Sequence, residues 1–215
     1  MNYDSVPLRD FKELNDWETV IFVYQSALKQ VETKIDILNG EFQHRHKYNP
    51  IEHVKSRIKT PESIVKKLKR HGYESSIENM VRYVNDIAGI RISCSFTSDI
   101  YLIADMISKQ NDLTILARRD YMKNPKKSGY RSYHMLVTTP VFLSDSIIDT
   151  KVEIQIRTVA QDFWATLEHK MHYKFEGDGP DYITKELREC ARYVAELDTR
   201  MEELNNESRN MENYQ

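Results

Sequence analysis

Lys151-Val152-Glu153-Ile154-Gln155-Ile156-Arg157 alternates without a break between polar and aliphatic side chains. Successive side chains of a strand point to opposite faces, so this spacing predicts a strand over 151–157. Val152, Ile154 and Ile156 fall on its buried face; Glu153, Gln155 and Arg157 fall on the other. Three polar side chains in a row, each able to accept, donate or carry charge, are more than a water-facing edge requires. Thr158-Val159-Ala160-Gln161 follows at once and has the form of a capping box. It opens a helix whose inward positions are Ala160, Phe163, Trp164, Leu167 and Met171. A strand that runs straight into a helix puts this chain among the mixed α and β folds.

Upstream, Ile90, Ile92, Cys94 and Phe96 alternate with Arg91, Ser93 and Ser95, which predicts a second strand beginning near Asp86. A helix through Ile100, Ile103, Met106 and Ile107 follows, capped near Thr97 or Ser98. Short strands are expected at Leu113–Ala117 and Tyr133–Val141. Thr60 as N-cap with Pro61 at the first helical position starts another helix, with Ile64, Val65 and Leu68 inward. Lys66, Lys67, Lys69 and Arg70 are then left on its wet side. Trp17, Val20, Ile21, Tyr24, Leu28, Val31, Ile35 and Leu38 recur at helical spacing, giving a long amphipathic helix over 13–39. It is expected to end near Gly40, and residues 41–50 read as a connector. Downstream, Gly177–Pro180 reads as a turn. Asp181 caps a last helix striped by Ile183, Leu187, Ala191, Val194, Leu197, Met201 and Leu204. The tail from Asn205 is polar and expected to fray. The fold class is α/β of the α+β kind: a central mixed β-sheet of about five strands flanked by helices.

Composition narrows the partners. The chain has 215 residues, 40% hydrophobic and 30% charged, and a formal net charge of -2. That charge argues against wholesale nucleic-acid binding. Its distribution is uneven, however. Lys55 to His71 holds seven Lys/Arg against Glu62 alone, and Ala117 to His134 holds six against Asp120 alone. Two concentrated basic segments suit a compact polyanion better than a long duplex. The two cysteines, Cys94 and Cys190, are too few for a disulfide framework and read as reduced core thiols of a cytoplasmic protein. The opening Met1–Phe11 is mixed polar, unlike a signal peptide, and no apolar run is long enough to span a bilayer.

The second basic segment contains Lys126-Lys127-Ser128-Gly129-Tyr130-Arg131-Ser132-Tyr133-His134. A glycine beside a cationic cluster brings backbone N–H groups and charge together around phosphate, and an aromatic there offers a face to a base. The plain alternative is a tyrosine packed at a sheet edge. Asp86 and Glu153 start or occupy two strands, so neighbouring strands would bring both carboxylates to one divalent ion; surface acids that never meet are the competing reading. Mg²⁺ suits such a pair, being held by one or two carboxylates and the substrate's phosphates. Arg57, Lys59, Arg91 and Arg119 would then spread phosphoryl charge, while Glu153 takes a proton from an attacking hydroxyl. For the lysine run after Pro61, a solvated helix face is the simpler reading. His44, His46 and His53 cluster loosely, and His169 and His172 lie one turn apart, but neither group forms a closed zinc pattern. Walker and Rossmann loops are absent.

Six motifs stand in one order: Arg57-Ile-Lys59, Asp86-Ile-Ala-Gly-Ile-Arg91, Arg119-Asp-Tyr121, Ser128-Gly-Tyr-Arg-Ser-Tyr-His134, Val152-Glu-Ile-Gln-Ile-Arg-Thr158 and Phe163-Trp-Ala-Thr-Leu-Glu-His169. In that order they resemble the synthetase domain of the RelA/SpoT family, with its nucleotidyltransferase-like fold. The resemblance spans 49–175 and leaves a helical extension at 1–48 and a C-terminal helix and tail at 176–215. Length and flanks look like the small alarmone synthetases of the RelP type, and no His-Asp dipeptide is present to suggest the family's hydrolase half. The resemblance implies a GTP/GDP pyrophosphokinase that moves the β,γ-diphosphate of ATP to the ribose 3′-hydroxyl of GDP or GTP. The products are ppGpp or pppGpp and AMP.

By matching position, the resemblance implies that Asp86 and Glu153 hold Mg²⁺ and that Glu153 activates the hydroxyl. Arg57 and Arg91 would flank adenine; Lys59, Lys67 and Arg119 would contact the ATP phosphates. Tyr130 would stack on guanine, Lys126, Lys127 and His134 would lie near the acceptor phosphates, and Gln155 would line that side. Asp162 would accept from the guanine N1–H and N2–H₂. It also implies a homotetramer built on the terminal helices, without membrane or obligatory nucleic acid. Two alternatives remain: the same transfer onto the 3′ end of tRNA or onto adenosine nucleotides, and a non-catalytic nucleotide- or RNA-binding module.

Overall fold

The computed structural model describes residues 16–174 and 180–212. Helix α1 spans Trp17–His46, strand β1 Ile51–Ile58, α2 Pro61–Arg70, α3 Ile77–Tyr83 and β2 Ala88–Cys94. These are followed by α4 Thr97–Ser108, β3 Thr114–Asp120, β4 Tyr133–Phe142, β5 Ile147–Thr158, α5 Val159–Lys174 and α6 Asp181–Glu212. The five strands form one sheet in the order β1-β2-β5-β4-β3. The β2–β5 pair is parallel and the other three pairs are antiparallel, so the sheet is mixed.

One face of the sheet is the core. Val152, Ile154 and Ile156 of β5 and Ile90 and Ile92 of β2 are buried there beneath α1 and α4, which contribute Val20, Val23, Val31, Ile100, Ile103 and Ile107. Burial of such side chains contributes roughly 1.5–3 kcal/mol each, which fixes the strand register because a one-residue slip would turn the aliphatic set outward. The opposite face carries Glu153, Gln155, Arg91 and His134, partly exposed. A second, smaller apolar cluster of Trp164, Ala165 and Ala191 joins α5 to α6, with Tyr130 and Val194 packed against it.

Several local expectations give way. Helix α1 does not end at Gly40 but continues through most of the expected connector to His46, where Lys47 takes a left-handed conformation, φ 52°. An interior glycine costs only about 1 kcal/mol, and the turns on both sides of it are good helix formers. Strand β1 carries no clean alternation because it is an edge strand, largely exposed. Helix α3, absent from the sequence reading, starts at Ser76, whose hydroxyl accepts from the Asn79 N–H.

Helix α4 begins one residue early, at N-cap Phe96, whose N–H donates to the Asp99 carboxylate. Thr60 does cap α2, its hydroxyl accepting from Ser63 N–H. At α5 only half of the capping box forms: Thr158 Oγ1 accepts from Gln161 N–H, but the Gln161 side chain reaches across to Asp198 of α6. Phe163 and Met171, expected inward, are exposed, because the face of α5 that meets α6 is the one through Trp164 and Ala165. Cys94 is buried as expected, while Cys190 is exposed on α6. Helix α6 carries on past Asn205 to Glu212, and the turn expected at 177–180 falls mostly outside the described residues.

Candidate active site

The register lays the polar face out in two rows, since side chains paired across neighbouring strands share a face. One row reads Lys55, Arg91, Gln155, His134, Arg119 across β1, β2, β5, β4 and β3. The next reads Arg57, Gly89, Glu153, Leu136, Ala117. Gly89 stands between Arg57 and Glu153, and a Cβ added to it would meet no heavy atom within 4 Å. It therefore opens a cleft of about 250 Å³ lined by Arg57, Asp86, Gly89, Arg91, Glu153 and Gln155. A smaller hollow on the far side of Glu153 is bordered by Asn85, Arg119 and His134.

Asp86 lies just before β2 and shares the cleft with Glu153. Its two oxygens accept from Lys67 Nζ at 2.7 Å and Lys59 Nζ at 2.9 Å. Lys67 thus leaves the wet side of α2 and turns to the carboxylate. Lys59 arrives there because its N–H bonds to Ile87 O at 2.8 Å, prolonging the β1–β2 pairing. Burial pushes the Asp86 carboxyl up, but the two lysines pull harder and hold it below the ordinary range. Lys151 braces the preceding turn, donating to Asn85 Oδ1 at 2.8 Å and Arg82 O at 3.1 Å. Its burial, with Lys67 nearby, brings its pKa down to about 8.

Glu153 is likewise raised by burial and pulled lower still by His134 and Gln155, with the like charge of Asp86 opposing. Gln155 Nε2 donates to Glu153 Oε2 at 2.9 Å, and His134 Nδ1 lies 3.7 Å from Oε1. The other imidazole nitrogen, Nε2, is 2.9 Å from the Tyr130 hydroxyl. With the phenol donating to Nε2, Nδ1 carries the proton and faces the carboxylate. The residues fit a divalent cation at one point: two carboxylates share a cleft, and Asp86 already gathers two positive charges. No cluster of three or more His, Cys, Asp or Glu occurs among the described residues, so further ligands would come from phosphate oxygens and water.

The loop 125–131 lies along the edge of this face. Gly129 has φ +93°, which a side chain rarely tolerates, and Lys126 and Gly129 close the turn through Gly129 N–H to Lys126 O at 2.8 Å. Tyr130 is half-buried and packs against the α5–α6 cluster. Lys126 and Lys127 are both exposed, and Lys126 Nζ sits 4.7 Å from the Tyr130 ring and 5.0 Å from that of Tyr121. Asp162, in the first turn of α5, is drawn to three cations: Arg157 Nε at 3.1 Å, Arg91 Nη1 at 3.5 Å and Lys55 Nζ at 3.8 Å. Arg91 and Asp162, assigned by the resemblance to different bases, therefore meet. Arg57 and Arg119 are exposed at opposite sides of Glu153.

Three site neighbours escaped the sequence reading of the site. Lys55 belongs to the first basic segment but sits on a strand without alternation. Tyr121, edge-on to both Tyr130 and His134, was visible only as part of a motif. Arg157 falls on the polar face by alternation, which by itself assigns it no role.

Comparisons with known proteins bear on the family and the fold. The family described as "Region found in RelA / SpoT proteins" matches residues 56–178. The chain is 46% identical over 188 residues to the GTP pyrophosphokinase YwaC of Bacillus subtilis, covering 87% of this chain and 90% of that protein. To the GTP pyrophosphokinase YjbM of the same organism it is 35% identical, with 89% of each covered. Among solved structures, small alarmone synthetase 2 of B. subtilis superposes with a TM-score of 0.81 at 44% identity, over 89% of this chain and 99% of that one. Small alarmone synthetase 1 of B. subtilis, bound to its product pppGpp, superposes with a TM-score of 0.83 at 34% identity, over 89% and 97%. On the family match over residues 56–178 and the identity to these relatives across most of its length, this chain belongs to the RelA/SpoT family.

Proposed function

We propose that this chain is a GTP diphosphokinase that transfers the β,γ-diphosphate of ATP to the ribose 3′-hydroxyl of GDP or GTP, releasing AMP. The observation that carries the reading is the cleft itself. Two carboxylates, Asp86 and Glu153, share it between the cationic groups of two basic segments. Diphosphate transfer asks for little covalent work from the protein. It asks for positioning and for charge stabilisation at the phosphoryl oxygens.

On this reading Arg57 and Arg91 flank adenine, where guanidinium planes stack on a base. Lys59, Lys67 and Arg119 meet the ATP phosphates. Lys59 and Lys67 exchange part of their bond to Asp86 for phosphate oxygens when the donor enters. Mg²⁺, held by Asp86 and Glu153 together with the substrate's phosphates, supplies neutralising charge when bound. Glu153 takes the proton from the 3′-hydroxyl; its lowered pKa keeps it ionised and ready to accept. His134 and Gln155 hold that carboxylate in place. Tyr130 stacks on guanine, Asp162 accepts from the base edge, and Lys126, with Lys127 behind it, serves the acceptor phosphates.

The synthetase domain proper covers 49–175, with helical flanks at 1–48 and 176–215. The flanks are read as contact surfaces of a homotetramer, supported by Leu197, Met201 and Leu204, exposed in one stripe on α6. No helix among the described residues is long and apolar enough to cross a membrane, and a cytoplasmic setting fits a nucleotide substrate. The test is product identification. The protein with β-labelled ATP, GDP and Mg²⁺ should yield labelled ppGpp and unlabelled AMP, and GTP should give pppGpp. Label transferred to tRNA in preference to GDP would overturn the reading.

A further inference from the structure

Arg157 is the last polar residue of the Glu153-Gln155-Arg157 face, and it is 1% exposed. Burial draws its pKa down from the ordinary arginine value, so the charge is held at a cost. Its Nε lies 3.1 Å from Asp162 Oδ1 but not in hydrogen-bond alignment, and neither Nε nor Nη1 has a hydrogen-bond partner among the described residues. A buried guanidinium with one imperfect ion contact contributes little to stability, since an apolar side chain of similar volume commonly does as well. Its neighbours suggest what it does contribute. The guanidinium is near both Asp162 and the Tyr130 ring, its central carbon 5.9 Å from the ring centroid. These two side chains come from different elements, α5 and the 125–131 loop. The acceptor base is proposed to meet both.

We propose that Arg157 is a positioning residue for the acceptor base: it fixes the Asp162 carboxylate and the Tyr130 ring relative to each other, so that a stacked guanine presents its N1–H and N2–H₂ to the carboxylate. This rests on the reading of the cleft as a guanosine-nucleotide site. Asp162 is offered three cations, but Lys55 is exposed and Arg91 is 3.5 Å away. Arg157 is the nearest, the most buried, and the one that also lies over the Tyr130 ring. It acts through these two groups and touches neither the diphosphate nor the attacking hydroxyl.

The experiment compares the whole protein with its Arg157→Gln, Arg157→Lys and Asp162→Asn variants. It measures KM and kcat with GDP and with inosine diphosphate, which lacks the N2 amino group that Asp162 reads. Wild type should prefer GDP. Arg157→Gln should raise KM for GDP on the order of 10- to 100-fold, the loss expected for hydrogen bonds to a charged group, with KM for ATP unchanged. The preference for GDP over inosine diphosphate should collapse to that of Asp162→Asn. Arg157→Lys, which keeps the charge without the planar fork, should recover part of the preference and stands in if the glutamine variant does not fold. A folded Arg157→Gln protein that keeps the wild-type preference overturns the proposal. So does a wild type that makes the product from both nucleotides equally well. A wild type that makes no ppGpp at all from ATP and GDP overturns the proposed function, and this inference with it.

Discussion

Gly89 stands in register between Arg57 and Glu153, where any side chain would project into the cleft. Its backbone does not need glycine: an added Cβ meets nothing, and a strand favours β-branched residues. Gly89→Val should therefore fold and melt like the wild type while losing on the order of 100-fold in kcat/KM, the cost of displaced substrates. Circular dichroism with steady-state kinetics checks it, and an active Gly89→Val protein would mean that substrates do not cross that row. At this scale the sequence was a good guide where alternation ruled. Glu153 and Gln155 share a face because a strand has a period of two. It was a poor guide where tertiary contact overrode local pattern. By local pattern Lys67 reads as one of several solvated lysines and only the resemblance separates it from Lys66; the physical reason, its bond to Asp86, lies in the position of that residue relative to α2.

Helix α6 is tied to the site at several points. Trp164 Nε1 donates to Leu187 O at 2.9 Å, and Thr158 and Gln161 both donate to Asp198 Oδ2 at 2.9 Å. Ala191 presses on Gly129, where a new Cβ would come within 2.5 Å of the Ala191 Cβ. Gly129→Ala should thus be destabilising by about 1–2 kcal/mol from the left-handed backbone alone, and more from the collision. A thermal melt should show the drop, and KM for the acceptor should rise as the Tyr130 loop shifts. Asp198 gives a pH dependence. Burial raises its pKa above the ordinary 3.8 against the pull of Gln161 and Thr158. The folded state therefore binds the proton more tightly than the unfolded one. That contribution is full below about 3.8 and is lost as pH climbs through the raised value. Asp198→Asn should flatten this fall in melting temperature between wild type and variant over that window. None of these ties was legible beforehand: the stripe of α6 predicted a helix, and Thr158-x-x-Gln161 predicted its own cap, but the partner Asp198 is distant in sequence.

At the scale of the molecule, the mixed sheet was legible because β2 and β5 alternate between an aliphatic and a polar face; β4 is buried on both faces over Met135–Thr139 and does not alternate. Edge strand β1 and short helix α3 were not, since neither has a buried stripe long enough to read. Strand order, which brings Asp86 beside Glu153, comes only from tertiary pairing. Leu197, Met201 and Leu204 are exposed on α6, and the proposed homotetramer would cover them. Leu197→Glu with Met201→Glu should lower the mass seen by light scattering, and a mass unchanged from wild type would remove α6 from the interface. In the proposed function, diphosphate transfer to a guanosine 3′-hydroxyl takes place in the cleft around Glu153. The most direct test is the rate of labelled ppGpp formation from ATP and GDP by wild type and by Glu153→Gln, with nucleotide binding measured alongside. Wild type should form the product, and the variant should lose on the order of 10³-fold or more in rate while still folding and binding acceptor. Full-rate synthesis by Glu153→Gln would remove Glu153 from the chemistry and overturn the proposed function of the cleft.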